Sequence, residues 1–284
     1  MMTQRVSVNG VSLTFDVRGS GPPLVLISGY RLNSSAWPAE FVEGLAKRFT
    51  LVLFDNRGTG FSDKPTFGYA LSNMAEDAIG LMDHLAITQA DVLGYSMGGA
   101  IAQELACRYP KRVSSLVLFA TLCGGPKAAY AGPAVMHVMH NLEGMTPADA
   151  ARRIWAVTYE PRYLAANRDK IERQMLLEIE NPTPLHAADL QFQALVDFDS
   201  SKALPSVRAR TLIVTGDRDQ LIPSRNSEVL ADLIPGARLT VLRGHGLRAI
   251  WEAPMNSVAL IANFLERCED SEDAAKANST RMAL

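Results

Sequence analysis

The string Gly94-Tyr95-Ser96-Met97-Gly98-Gly99 places one hydroxyl between small residues, where a short apolar run ends and an amphipathic pattern begins. Small residues on both sides of Ser96 allow a sharp strand-to-helix turn that holds its hydroxyl exposed at a sheet edge, the setting of a nucleophile elbow. A Gly-x-Ser-x-Gly string by itself is also a plain turn with a serine capping a helix; the strand before it and the helix after it favour the chemical reading. A serine hydroxyl is a poor nucleophile at its ordinary pKa, so a base must stand within hydrogen-bond reach, and a third group must orient that base.

Five histidines are available for that role. His84 falls near the end of a helical segment, and His137, His140 and His186 fall in a helical stretch far from a strand end. His245 follows the last strand-like run, inside Arg243-Gly244-His245-Gly246, where glycines on both sides suit a loop that brings an imidazole towards Ser96. His137 and His140 share a helix face, but no carboxylate-rich set accompanies them, and no metal is expected. The orienting carboxylate is expected at another strand end, and Thr215-Gly216-Asp217-Arg218-Asp219-Gln220 offers both Asp217 and Asp219.

These groups need a scaffold that delivers several strand ends to one place. Residues 5–18 alternate apolar and polar around Asn9-Gly10, a hairpin signal. Apolar runs at 24–27, 51–54, 92–93 and 113–119 have the character of strands buried on both faces, as in a parallel sheet covered by helices. Helical patterns at 37–49, 71–85 and 98–109 separate them, and the same alternation returns with strands at 211–214 and 239–242 and helices at 225–233 and 257–265. Residues 125–204 carry almost no strand pattern and are expected to form a helical lid. The expected α/β organisation is therefore a core domain of 1–124 and 205–267, the inserted lid, and a polar C-terminal tail of 268–284.

Taken together, these segments resemble the α/β-hydrolase family over residues 5 to 267, particularly its smaller lidded esterases and enol-lactone hydrolases. The resemblance implies a mostly parallel central sheet flanked by helices, with Ser96 as nucleophile and His245 as base. It selects Asp219 over Asp217 as the acid, because Asp219 matches the family's Gly-x-x-Asp string ahead of a proline, here Pro223. It also implies two oxyanion donors, the backbone N–H groups of Met97 and Tyr30. Asp217 then shapes its loop or pairs with a basic side chain.

Three departures from the family pattern stand out. Ser28-Gly29 replaces the His-Gly of many relatives, so that turn must be braced differently. Several relatives reach the Glu-x-Pro string sooner than Trp251-Glu252-Ala253-Pro254 is reached from His245, which predicts a longer loop carrying the base, covered by Trp251. The segment Phe54-Asp55-Asn56-Arg57-Gly58-Thr59-Gly60 lacks the Gly-Lys-Ser/Thr of a phosphate loop, so Asp55 and Arg57 are expected to order backbone turns.

Composition narrows the partners. Twenty-eight Lys and Arg against 30 Asp and Glu give a formal charge of −2 without a basic stripe, so no nucleic-acid partner is expected. Cys107, Cys123 and Cys268 are odd in number and widely spaced, which fits a reduced compartment without disulfides. No signal-peptide pattern and no membrane-spanning window is read, and a cytoplasmic location is expected. The expected activity is a cofactor-free serine hydrolase acting on a carboxylic ester or lactone. Val135, Met136, Val138, Met139 and Leu142, with Met175, Leu176 and Leu177, are candidates for an apolar wall that selects a hydrophobic body. The same catalytic set also serves a C–C bond hydrolase or an acyltransferase, and a ligand-binding protein without turnover is the rival from another class.

Overall fold

The computed structural model describes residues 4–266; the expected tail, 268–284, lies outside them. Eight strands form one sheet: β1 (Gln4–Val8), β2 (Val11–Arg18), β3 (Pro23–Ile27), β4 (Thr50–Phe54), β5 (Ala90–Tyr95), β6 (Val113–Phe119), β7 (Arg210–Gly216) and β8 (Arg238–Leu242). Their order is β1-β2-β4-β3-β5-β6-β7-β8, with β2 antiparallel to both neighbours and every later pair parallel.

Helices fill the connections, as parallel strands require. Before β7 these are α1 (Ala39–Ala46), α2 (Leu71–His84), α3 (Met97–Arg108), α4 (Pro133–His140), α5 (Pro147–Thr158), α6 (Pro161–Ala166), α7 (Arg168–Glu178) and α8 (Leu185–Val196). After it come α9 (Arg225–Leu233), α10 (Ala249–Glu252) and α11 (254–266). The segment between β6 and β7 is helical, and a bridge between Gly124 and Asp199 joins its two ends at the sheet. The helix expected over 37–49 is shorter, because Pro38 serves as its N-cap in extended geometry and the helix stops at Ala46.

Alternation along the central strands builds a core on each side of the sheet. Val25 and Ile27 of β3, with Val52 and Phe54 of β4, pack among α2 and α3. Leu24, Leu26, Leu51 and Leu53 point the other way, among Phe41 and Leu45 of α1 and Ile261 and Leu265 of α11. This is why the strands read as unbroken apolar runs: both faces are covered.

Strand order also fixes where a ligand can enter. From β3 the chain moves to β4 on one side and then returns to β5 on the other, which opens a crevice beyond the carboxyl ends of β3 and β5. Tyr30 follows β3 and Ser96 follows β5, so both stand at that crevice.

Candidate functional site

Ser96 sits at φ 54° and ψ −119°, a strained conformation for a residue with a side chain, directly between β5 and α3. The glycines around it make the turn possible: a Cβ on Gly94 would lie 2.3 Å from the Gly98 carbonyl oxygen, and one on Gly98 would lie 2.0 Å from the Ile27 oxygen. The backbone holds the turn from both sides. The Ser96 N–H donates to the Phe119 carbonyl at 2.9 Å, and the Thr121 hydroxyl donates to the Ser96 carbonyl at 2.7 Å.

Both expected oxyanion donors flank this serine. Met97 is the first residue of α3, so its N–H has no intrahelical acceptor. The Tyr30 N–H has no acceptor among the described residues, although the next two residues are tied down: Arg31 N–H donates to Gln191 Oε1 at 3.1 Å and Leu32 N–H to the Gly29 oxygen at 3.1 Å. Ser28 braces the turn by donating its hydroxyl to the Leu32 carbonyl at 2.8 Å, while Asn56 Nδ2 donates to the Ser28 carbonyl at 3.1 Å. Asp55 takes N–H groups from Ser34 and Phe61, the turn-ordering role expected of it. Arg57 also bonds backbone, donating Nη1 to the Gly68 carbonyl at 2.6 Å, and forms a buried pair with Asp77, at 2.5 and 2.7 Å, that ties this loop to α2.

The acid and the base lie differently from the sequence reading. Asp219 is buried beyond β7, and its Oδ1 accepts the N–H groups of Leu221 and Ile222 at 2.9 and 2.8 Å. Its Oδ2 is shut from solvent and has no hydrogen-bond partner. Burial pushes this carboxyl up to about 7; the two backbone donors oppose the rise, and the nearby Glu252 adds to it. Asp217 takes the Gly244 N–H at 2.7 Å and shapes its loop.

No hydrogen bond joins His245 to Asp219 among the described residues. The His245 Nδ1 donates to Glu252 Oε2 at 2.9 Å, and the Glu252 side chain is 0% exposed against 27% for the imidazole. Glu252 is further committed to the Gly246 N–H at 3.1 Å and, through Oε1, to the Glu160 N–H at 2.7 Å. Among the described residues no hydrogen bond joins His245 to the Ser96 hydroxyl, and neither cavity that Ser96 lines is lined by His245. The physical reason lies in the end of the loop rather than its beginning. Glu252 is fixed by its backbone donors, so α10 sets which residues of 245–248 face inward, and those are Leu247 and Arg248. Trp251 covers Trp37, with rings stacked at 6.1 Å and its indole N–H on the Ala36 oxygen.

Two cavities meet at Ser96. One, of about 260 Å³, is apolar and lined by Tyr30, Met97, Leu122, Met136, Phe192 and Leu195. The other, of about 120 Å³, is lined by Leu247, Arg248, Glu178 and Thr158. Arg248 is buried there in a forked pair with Glu178, at 3.0 and 3.3 Å, and lies over the rings of Tyr159 and Trp251. Of the apolar-wall candidates, Met136 and Met139 line the cavities, Met175 packs in the core, and Leu176 and Leu177 face solvent.

The sequence reading missed Glu252, the Arg248–Glu178 pair and the inward position of Leu247. A signal for the last was present in the irregular distance from His245 to Glu252-Ala253-Pro254.

Comparison with known proteins places this geometry. An alpha/beta hydrolase fold profile matches residues 22–155. A 2-hydroxymuconate semialdehyde hydrolase of Pseudomonas putida is 29% identical over 262 residues, covering 89% of this chain and 90% of the relative. A poly(3-hydroxyalkanoate) depolymerase of Ectopseudomonas oleovorans is 28% identical over 272 residues, covering 92% of each. Among solved structures, Est816, an N-acyl homoserine lactone degrading enzyme, superposes with a TM-score of 0.79 at 26% identity, covering 92% of this chain and all of Est816. By sheet order, elbow and likeness along nearly its whole described length, the chain has the α/β-hydrolase fold.

Proposed function

We propose that this chain takes an ester or lactone with an apolar body, its carbonyl over Ser96, and that Ser96 receives the acyl group. The observation that carries the reading is the strained Ser96 turn opening into an apolar cavity of about 260 Å³ between two backbone donors. In this reading the N–H groups of Met97 and Tyr30 hold the oxyanion, and the wall of Met136, Phe192 and Leu195 takes the acyl body. Likeness to a lactone degrading enzyme and to a depolymerase of hydroxyalkanoate polymers supports the substrate class.

One observation favours a second reading, ligand retention without useful turnover: His245 is held by Glu252, and no hydrogen bond joins it to Ser96 among the described residues. C–C cleavage and acyl transfer to an alcohol use the same nucleophile and are separated by assay.

The test is a series of p-nitrophenyl esters matched in leaving group and graded in acyl length, with an enol-lactone and an activated C–C substrate alongside. Each buried methylene contributes about 0.8 kcal/mol. The acylation constant, read from nitrophenolate release, is therefore expected to rise about fourfold per carbon until the cavity is full. A flat or inverse dependence rejects the apolar pocket. Binding of the long-chain ester with no acyl-Ser96 detected by mass spectrometry selects retention without chemistry.

A further inference from the structure

A base serving Ser96 must accept its proton on one side and be oriented by a carboxylate on the other, so its place is fixed between the Ser96 hydroxyl and Asp219. Leu247 lines the cavity together with Ser96 and with Leu221, whose N–H is bonded to Asp219. Its peptide is held on both sides, by the Tyr95 hydroxyl on the Leu247 carbonyl at 3.4 Å and by the Arg248 N–H on the Thr158 carbonyl at 3.0 Å. An aliphatic side chain offers Asp219 Oδ2 nothing, and that oxygen is left buried without a hydrogen-bond partner. A buried polar atom with an unmade hydrogen bond is uncommon and needs a cause.

His245 is not free to fill the gap. Its Nδ1 is on Glu252, its carbonyl takes the Arg218 N–H at 2.9 Å, and the following Gly246 N–H is also on Glu252. The 245–246 backbone packs so closely on Gly216 that a Cβ there would lie 2.2 Å from the His245 oxygen. Carrying the imidazole to Ser96 breaks this whole set of contacts.

We infer that Leu247 occupies the place of the general base, so that the chain acylates at Ser96 without an imidazole and sheds the acyl group slowly. The inference rests on the reading of Ser96 as the acyl acceptor. In the acylation step the Ser96 Oγ–C bond forms, the ester C–O bond breaks, the Oγ proton passes to solvent and the leaving alcohol takes up a proton. Histidine at 247 would carry that proton from Oγ to the leaving group itself, with Asp219 Oδ2 accepting its other N–H. Hydrolysis of the acyl-enzyme repeats the transfer with water as the nucleophile.

The experiment compares steady-state hydrolysis of p-nitrophenyl hexanoate by the wild type, L247H, and L247A with added imidazole. L247H is expected to raise kcat at least about 100-fold, the lower end of general-base catalysis. L247A is expected to show a saturable rise with imidazole that the wild type lacks, which keeps the test alive if L247H folds poorly. Adding D219N to L247H is expected to take back at least about 10-fold of the gain. The inference is overturned if neither L247H nor imidazole-treated L247A exceeds the wild type, or if the wild type already turns over at the L247H rate and loses it in H245A. An acyl group found on Ser96 under either outcome leaves the nucleophile reading standing. A gain in L247H that survives S96A supports the base position and removes the nucleophile reading instead.

Discussion

Alanine at position 96 is expected to abolish acylation of the chain. After exposure to p-nitrophenyl hexanoate, the wild type should carry up to one acyl group per chain, located on Ser96 by peptide mass spectrometry, and S96A none. The fold should survive, because the Ser96 hydroxyl makes no hydrogen bond among the described residues and the turn is held through its backbone. The size of the kinetic effect depends on position 247. Members of a catalytic set act as a unit, so once one is missing the loss of another costs little, while oxyanion donors and binding alone retain about 10³–10⁴-fold over water. Steady-state turnover in the wild type should therefore fall only modestly with S96A, although the adduct vanishes. In L247H the same substitution should cost at least about 10³-fold in kcat. Equal losses in the two backgrounds would mean that Leu247 and Ser96 act independently, against a shared proton path.

How much of this site could be read from residues alone follows from what fixes each position. Ser96 was legible because its setting is local: a strand, small residues and a helix in direct succession force the turn, and the close approach of Gly94 to Gly98 is the same constraint seen in space. The sheet was legible for a related reason, since runs such as 24–27 and 113–119 are apolar on both faces only if helices cover both. The place after β7 offers both Asp217 and Asp219, and only the family's Gly-x-x-Asp string selects Asp219; its orphaned oxygen depends on what lies across the cavity and has no sequence signature. The inward-facing residue of the last loop is set by α10, where Glu252 accepts N–H groups from Gly246 and from Glu160, 92 residues earlier. Counting forward from β8 makes His245 the natural choice on residue type. The geometry is anchored from the other end, and the chemistry of histidine gives no information about that register. The Arg248–Glu178 pair is likewise a contact between β8's loop and α7, 70 residues apart, that neither local pattern announces.

The pH dependence of stability offers an independent reading of the same gap. The Asp219 carboxyl is held up at about 7, chiefly because burial penalises its charged form, with Leu221 and Ile222 opposing and Glu252 reinforcing the rise. The folded state therefore binds this proton more tightly than the unfolded chain, whose aspartate titrates near 4. The associated stability is fully present below pH 4 and is lost as pH rises towards 7 and beyond, where the folded protein must hold a buried charge without a cation on it. Over that window the group accounts for about 4 kcal/mol, at about 1.4 kcal/mol per pH unit. D219N keeps an oxygen for the Leu221 and Ile222 N–H groups and never ionises. It is expected to match the wild type below pH 4 and to exceed it at pH 8 by up to about 4 kcal/mol in urea unfolding. A D219N difference that does not grow between pH 5 and 8 would show that Asp219 carries no such burden. The leucine makes a further demand on the result. In L247H a neighbouring imidazole donates to Oδ2 and favours the charged carboxylate, so the folded-state pKa falls and the stability lost on raising the pH is recovered. The advantage of asparagine at pH 8 should then shrink or reverse in the L247H background. A double-mutant cycle at pH 8 with zero coupling between 247 and 219 would place the two side chains out of contact and remove the physical basis for a base at 247.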